Sequence, residues 1–352
     1  MGGVTVPLPR GADPAAPRLA DIAEQARVSE ATVSRVLNGK AGVAAATRHK
    51  VLAALDVLGY ERPVRLRRKS NGLVGLLIPE LTNPIFPAFA QVIEQALAGH
   101  GYTPVLCTQT PGGATEDELV EQLEERGVTG IVFLSGLHAD ASADPARYLR
   151  LAARGVPFVL INGYNEHVSA PFVSPDDRAA AGMAVRHLAE LGHERIGLAI
   201  GPTRYVPSRR KEEGFRAALA ALGFADDCEQ VIQRTLFTVE GGHAAGGALL
   251  DRGCTGIVCG SDPMALGVIR AARERGLRVP EDVSVVGFDD SPLIPFTDPP
   301  LTTVRQPVRA MATAAVGALL EAVGGNPVER TEFVFQPELV VRGSTAQAPR
   351  IP

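Results

Sequence analysis

Leu-Ala-Asp-Ile-Ala-Glu-Gln-Ala-Arg-Val-Ser-Glu-Ala-Thr-Val-Ser-Arg-Val-Leu-Asn, residues 19–38, is the stretch on which the reading of the chain turns. Leu19, Ile22, Ala23 and Ala26 fall at i, i+3, i+4 and i+7, one apolar stripe on a short helix. Arg27-Val28-Ser29 supplies a turn, and the Ser29 hydroxyl can take an orphan N–H of the next helix. Val33, Val36 and Leu37 form a second stripe, and Asn38-Gly39 is a stop. The opposite face of this second helix carries Glu30, Ala31, Ser34 and Arg35, short or polar side chains with one long basic one. Two short helices joined by a tight turn are the geometry that sets a helix into the major groove of DNA. An ordinary helical hairpin has the same stripes, so the neighbourhood decides.

That neighbourhood is basic. A third amphipathic helix follows, with Val51, Leu52, Leu55 and Leu58 on one face and Gly59 at its end. Residues 18–69 hold 11 Lys/Arg against 5 Asp/Glu, a net +6, and residues 1–17 are neutral. The whole chain stands at −4, which leaves −10 for residues 70–352. A basic end on an acidic body fits a phosphate-binding module. The run 19–38, followed by Thr47-Arg48 and Leu58-Gly59-Tyr60, resembles the DNA-binding headpiece of the LacI/GalR family. Ala31 to Asn38 carries most of the match. The resemblance implies that the second helix is the recognition helix. Glu30 and Ala31 then occupy variable base-reading positions, with Ser34 on the same face. Arg35 reads the groove or its edge, and Ser29 and Thr32 lie near phosphates. Two residues depart from the family pattern. Arg27 stands where Gly is usual, and a non-Gly residue in a left-handed turn costs roughly 1–2 kcal/mol. Ala44 stands where an N-cap Ser is usual, at a cost of about 1 kcal/mol.

Residues 61–72 form a basic linker, in which four of the five residues from Arg65 to Lys69 are basic. The resemblance implies a hinge that folds on DNA and wedges a Leu into the minor groove, and Leu66 is the residue available. The segment is shorter than the family pattern and lacks the small-residue helix before the Leu. If Leu66 is a wedge, Leu66→Ala weakens operator binding well beyond a charge-neutral control elsewhere in the linker; an unchanged affinity removes the wedge.

From Leu73 onward, short β-rich runs alternate with helices. Strands are expected at 74–78, 103–107, 130–134, 158–161, 195–199, 231–234, 256–259 and 283–287. Helices are expected at 86–98, 179–191, 209–222 and 264–275. Alternation of this kind means parallel sheets covered on both faces. So many strands divide more readily into two lobes than into one sheet, with ligands bound outside the strands' carboxyl ends. The resemblance extends here through Leu191-Gly192-His193, Val279 to Asp289 and Leu301 to Pro307. It implies the fold of periplasmic sugar-binding proteins behind the headpiece. The resulting class is α/β: a three-helix helix-turn-helix headpiece and a two-lobed effector domain. The expected divisions are a disordered tail at 1–17, the headpiece at 18–60, the linker at 61–72 and the effector-binding and dimerisation domain at 73–346. Its N-lobe would take about 73–173 and 305–327, and its C-lobe about 174–304 and 328–346.

Effector contacts are expected from Phe86, whose ring can stack on a sugar, and from Asn162 at a strand end. Asp176 at a strand-to-helix turn, Arg209 and Lys211 before Gly214-Phe215, and Ser261-Asp262 after a strand complete the outer set. Lys211 stands where the family has a clamping Arg, replacing a bidentate fork by a point charge. Asp289 is the strongest single candidate, because a carboxylate can accept two sugar hydroxyls at once. Carboxylates, amides and one aromatic suit a neutral polyol better than a nucleotide.

Other classes fit less well. There is no G-x-S-x-G elbow, no P-loop and no G-x-G-x-x-G loop, so an enzyme is not expected. His187 and His193 are six apart, which does not place two ligands on one helix face, and neither metal nor cofactor is expected. Cys107, Cys228, Cys254 and Cys259 show no metal spacing and read as buried reduced thiols in the cytosol. The first 17 residues lack the basic start and apolar core of a secretory signal, and no run is long enough to span a membrane. A transport-type sugar-binding protein without a DNA role shares the body's fold but has no use for residues 18–70. The function expected is therefore a cytoplasmic regulator, most simply a repressor. A homodimer would present two headpieces to a near-palindromic operator under control of a small-molecule effector. No leucine-heptad tail follows residue 345, so a coiled-coil tetramer is not expected.

Overall fold

The computed structural model describes residues 18–37, 40, 42–60, 70–109, 112–224 and 228–349. The N-terminal tail, Asn38-Gly39 and Leu66 lie outside them. The chain divides into two compact units between Lys69 and Ser70.

In the first unit three helices enclose a small core: α1 (Leu19–Ala26), α2 (Glu30–Leu37) and α3 (Ala45–Val57). Ile22, Val33 and Val51, one from each helix, are fully buried, and Ala23, Ala26, Val36 and Ala54 pack around them. Each of the three large side chains contributes about 1.5–3 kcal/mol. Ser29 caps α2 as its sequence suggests: the Thr32 amide donates to the Ser29 hydroxyl at 3.3 Å. Ala44 gives α3 no side-chain cap. Leu52 does not share the apolar face expected of it; it is half exposed, and Ala54 fills the core position. The α1–α2 turn places Arg27 in the left-handed region, φ 53° and ψ 50°. Glycine adopts that conformation without a Cβ clash. Arg27→Gly is expected to stabilise the headpiece by about 0.5–1 kcal/mol, read as slower amide exchange across α1 and α2; unchanged exchange would show that the turn carries no such cost.

The second unit contains two sheets. In chain order its elements begin with β1 (Leu73–Ile78), α4 (Ile85–Gly99), β2 (Thr103–Thr108), α5 (Glu116–Glu125), β3 (Gly130–Leu134), α6 (Ala146–Ala153), β4 (Phe158–Ile161) and β5 (Phe172–Pro175). The second lobe follows with α7 (Asp177–Glu190), β6 (Ile196–Ile200), α8 (Val206–Ala221), β7 (Ile232–Arg234), α9 (Val239–Asp251), β8 (Gly256–Cys259), α10 (Asp262–Glu274), β9 (Ser284–Asp289) and β10 (Thr302–Arg305). The chain then returns through α11 (Val308–Val323), β11 (Glu332–Phe335) and β12 (Glu338–Val340). The first sheet has the order β11-β5-β4-β3-β1-β2 and is parallel throughout. The second has the order β12-β10-β9-β8-β6-β7, with only β12 antiparallel. Central strands such as β3, β4, β6 and β8 are buried along their whole length, as continuous apolar runs flanked by helices on both faces require.

The chain passes between the lobes three times: after β5, after β10, and between β11 and β12. The last passage corrects the expected division at residue 328. Residues 332–335 pair with β5 in the first sheet, and only residues 338–340 join the second. The first passage falls after Pro175 rather than at 173, because β5 runs two residues further. The four cysteines are free, but only Cys254 and Cys259 are buried; Cys107 and Cys228 are half-buried. Burial lifts the Cys254 thiol to about 11, so it stays protonated and unreactive. Among the described residues no helix is long and apolar enough to cross a membrane.

Candidate functional site

The outward face of α2 follows from the headpiece core. With Val33 and Val36 turned inward, Glu30, Ala31 and Arg35 are exposed on the other side of α2, and Thr32 and Ser34 are partly exposed beside them. The Ser29 hydroxyl lies 2.9 Å from that of Thr32 and holds the first turn of the helix. Arg35, in the last turn, is the long cationic side chain of the face.

In the body the strands' carboxyl ends converge on a cavity of about 480 Å³ between the lobes. Its first-lobe wall takes Glu80 and Asn83 after β1, Phe86 at the start of α4, Ser135 after β3 and Asn162 after β4. Its second-lobe wall takes Arg204 and Tyr205 before α8, Lys211 on α8, Phe237, Ser261 after β8, and Phe288 and Asp289 at the end of β9. Gln306 closes it from the β10–α11 passage. Backbone strain gathers here. The described non-glycine residues with positive φ are Arg27 and, at these strand ends, Ser135 (49°), Asn162 (66°), Asp289 (121°) and Asp290 (56°). Conformations of this kind persist where surrounding structure over-determines them, commonly at ligand sites. Asp290 is fixed in its turn by Arg305 at 2.7 Å and Arg342 at 2.6 Å. Gly201 leaves room for Phe237; a Cβ there would overlap the ring.

The polar groups of the wall are aimed and partly unused. The Asn162 amide donates to Ser135 Oγ at 2.7 Å, and the Gln306 amide donates to Asp289 Oδ1 at 2.7 Å. The other ends of these amides, Asn162 Oδ1 and Gln306 Oε1, are buried acceptors with no hydrogen-bond partner among the described residues. Buried unpaired acceptors cost about 1–3 kcal/mol each, a cost that a hydroxyl-bearing ligand removes. Burial, and then the charge of nearby Asp262, push the Asp289 carboxyl well above the usual carboxylate range; Gln306, Lys211 and Asn83 pull it part of the way back. Two carboxylates buried this close titrate as a pair.

Phe86, Asn162, Lys211, Ser261 and Asp289 of the expected set thus reach the cavity, but Lys211 and Ser261 have structural duties as well. The Lys211 ammonium lies 2.5 Å from buried Asp177 and 3.8 Å from the centre of the Phe288 ring. It is a tethered charge beneath the cleft rather than a free clamp. Ser261 caps α10, accepting from the Met264 amide at 3.4 Å. Three expected residues are not brought to the wall. Asp176 caps α7, accepting from the Ala179 amide at 2.9 Å. Arg209 points outward and is half exposed near Glu213. Asp262 lies under the floor, where Thr303 Oγ1 donates at 2.6 Å and the Ser291 amide at 2.8 Å. In their place the structure adds Asn83, Arg204, Tyr205, Phe237 and Gln306. Of these, Gln306 stands in the quoted Leu301–Pro307 signature, and Asn83 stands three residues before Phe86 in the turn after the first strand.

Removing one partner of the Lys211–Asp177 pair leaves a buried charge without its counterion. Lys211→Met is expected to cost about 3 kcal/mol in denaturant unfolding, with most of it regained in Lys211→Met/Asp177→Asn. A loss below about 1 kcal/mol would mean that the pair is already solvated.

Residues 18–62 match the family described as "Bacterial regulatory proteins, lacI family", and residues 185–345 match the "Periplasmic binding protein-like domain". The chain is 76% identical over 346 residues to the "Uncharacterized HTH-type transcriptional regulator in aml 5'region" of Streptomyces limosus, covering 98% of this chain and 99% of that one. It is 68% identical to the HTH-type transcriptional regulator MalR of Streptomyces coelicolor, over 94% of this chain and 97% of that one. Among solved structures, a transcriptional regulator CelR–cellobiose complex is similar with TM-score 0.69 and 33% identity, over 93% of this chain and 99% of that one. A lac repressor dimer bound to operator and the anti-inducer ONPF is similar with TM-score 0.67 and 28% identity, over 94% and 99%. The headpiece match also disfavours the transport-type reading of the body. The three-helix headpiece, the two-lobed body and these likenesses agree: the chain belongs to the lacI family of bacterial regulatory proteins and is a DNA-binding transcriptional regulator, not an enzyme.

Proposed function

We propose that the chain is a repressor whose affinity for a near-palindromic operator is set by a neutral sugar bound in the interlobe cleft. It acts as a homodimer in the cytoplasm, on double-stranded DNA. The observation that carries the sugar reading is the pairing of unused acceptors with rings. Asn162 Oδ1 and Gln306 Oε1 can each accept a hydroxyl, Asp289 can accept two, and Phe86, Tyr205 and Phe237 offer apolar faces to a pyranose. Among the described residues the two cations on the cavity wall are both paired, Lys211 with Asp177 and Arg204 with Asp140, which disfavours a phosphate. The similar CelR protein was solved with cellobiose, itself a neutral disaccharide. Glu30, Ala31, Ser34 and Arg35 face the base edges, with Ser29 and Thr32 beside the backbone.

The test is a thermal-shift panel of neutral mono- and disaccharides, sugar phosphates and nucleosides on the full chain, followed by a gel shift on its own promoter fragment. The expected result is stabilisation by at least one neutral sugar, and a changed operator affinity with that sugar present. Stabilisation by a sugar phosphate or nucleoside alone would overturn the reading.

A further inference from the structure

Each helix from α3 to α11 is followed, two residues past its end, by a glycine in the left-handed region, from Gly59 after α3 to Gly325 after α11. Helix α1 departs from this habit. It ends at Ala26, and the left-handed position that follows belongs to Arg27, at φ 53° and ψ 50°. Glycine is the easy choice there, because a Cβ crowds the neighbouring carbonyl. The other described non-glycine residues with positive φ, Ser135, Asn162, Asp289 and Asp290, gather at the strand ends around the cleft. Arg27 is the one described in the headpiece, and an outlier of this kind points to a use for its side chain. The use is not a contact inside the headpiece. Val28, the next residue, packs against the core, while Arg27 and Ser29 on either side of it are exposed. Ser29 caps α2, so Arg27 leaves the surface two residues before the start of that helix's cap. Its backbone amide donates to Glu24 at 3.1 Å, but its guanidinium has no hydrogen-bond or ion-pair partner among the described residues. Neither Glu24, three residues back, nor Glu30, three residues on, pairs with it.

We propose that Arg27 is a phosphate contact: on DNA its guanidinium pairs with a backbone phosphate at the rim of the groove that α2 enters. The headpiece thus accepts a strained turn and gains affinity that does not depend on sequence. The inference rests on the reading of α2 as the helix that meets DNA, and not on the sugar cleft. A free guanidinium is a planar fork that matches two phosphate oxygens. Its place assigns it to the backbone rather than to a base. Glu30, Ala31, Ser34 and Arg35 occupy the outward face of α2, whereas Arg27 stands before the cap, off the helix and to its side. The contact is a property of this chain's own residue at the turn, since a glycine there has no side chain to offer.

The test is a salt titration of the full-length protein on a random-sequence duplex and on its own promoter fragment. Arg27→Gln keeps a side chain in the left-handed turn and removes the charge. It should weaken binding to both duplexes alike, about fivefold at about 0.1 M salt, and lower the slope of log affinity against log salt by about 0.9 for each headpiece engaged. Arg27→Lys should keep most of the affinity and the slope. Arg27→Gly should bind as weakly as Arg27→Gln although its headpiece is the more stable, which separates a lost contact from a lost fold. An unchanged slope in Arg27→Gln, a loss confined to the promoter fragment, or an equal loss in Arg27→Lys would overturn the contact. Arg35→Ala, titrated alongside, reports on α2 itself. Weaker promoter binding by Arg35→Ala with Arg27→Gln unchanged rejects the Arg27 contact alone. Wild-type binding by both variants rejects α2 as the helix that meets DNA, and the contact with it.

Discussion

Arg35→Ala should weaken operator binding by about 1–3 kcal/mol, roughly 5- to 150-fold, and relax the choice of base at the position it reads. The side chain is exposed on α2, so its removal leaves the core of Ile22, Val33 and Val51 intact. Helix propensity does not oppose the change, since Ala is at least as good a helix former as Arg. The loss is therefore a binding loss, with the circular dichroism and melting of the headpiece unchanged. Specificity separates the two roles an Arg can play. A base-reading Arg loses affinity for the operator and little for unrelated DNA. A phosphate-binding Arg loses both alike and lowers the salt dependence by about one counterion. Competition gel shifts at two salt concentrations distinguish them, and uniform weakening across sequences would reassign Arg35 to the backbone.

Asp289→Ala should abolish the effector response and leave operator affinity in the absence of sugar unchanged. The carboxyl is buried at the end of β9, on the cleft wall, with Gln306 donating to one oxygen. Sugar hydroxyls donating to it lose about 1.5–3 kcal/mol for each charge-assisted bond removed, enough with two bonds to eliminate binding at ordinary concentrations. The same site gives a pH dependence. Burial and Asp262 raise the Asp289 pKa in the free protein. Hydroxyl donors favour the ionised form, so effector binding lowers that pKa and releases a proton. Affinity should therefore rise with pH through the range in which the Asp262–Asp289 pair titrates, where burial lifts Asp262 to about 6. Calorimetry in buffers of different ionisation enthalpy reads the proton release directly, and Asp289→Asn should remove it. Proton uptake on binding would contradict the assignment.

How much of this was legible depends on which force shapes each element. Gly130–Leu134, Phe158–Ile161 and Gly256–Cys259 were readable to the residue, because a strand covered on both faces is a continuous apolar run with sharp ends. The strands Phe172–Pro175, Thr302–Arg305, Glu332–Phe335 and Glu338–Val340 were not among those expected. They are three or four residues long, carry Ser-Pro, Thr-Thr or Glu, and are stabilised by partners far away in sequence at the passages between lobes. The misplaced return at residue 328 has the same origin. At the cleft, Asn162 and Asp289 were legible because both end readable strands. Asp176 and Asp262 also follow strands, but a carboxylate there can cap a helix or satisfy buried hydroxyls instead, and pattern alone does not separate these duties. Arg204, Tyr205 and Phe237 reach the wall from connecting segments, whose course the two lobes set together. Ser29 was legible because a cap acts within three residues.

The most direct test of the account is one titration: the full-length protein on its own promoter fragment, with and without a saturating neutral sugar shown by calorimetry to bind it. The account predicts a change of about 5- to 150-fold in the half-saturating protein concentration, the usual range of coupling between two sites. Identical curves with the sugar demonstrably bound would contradict it, because the cleft would then have no hold on the headpiece.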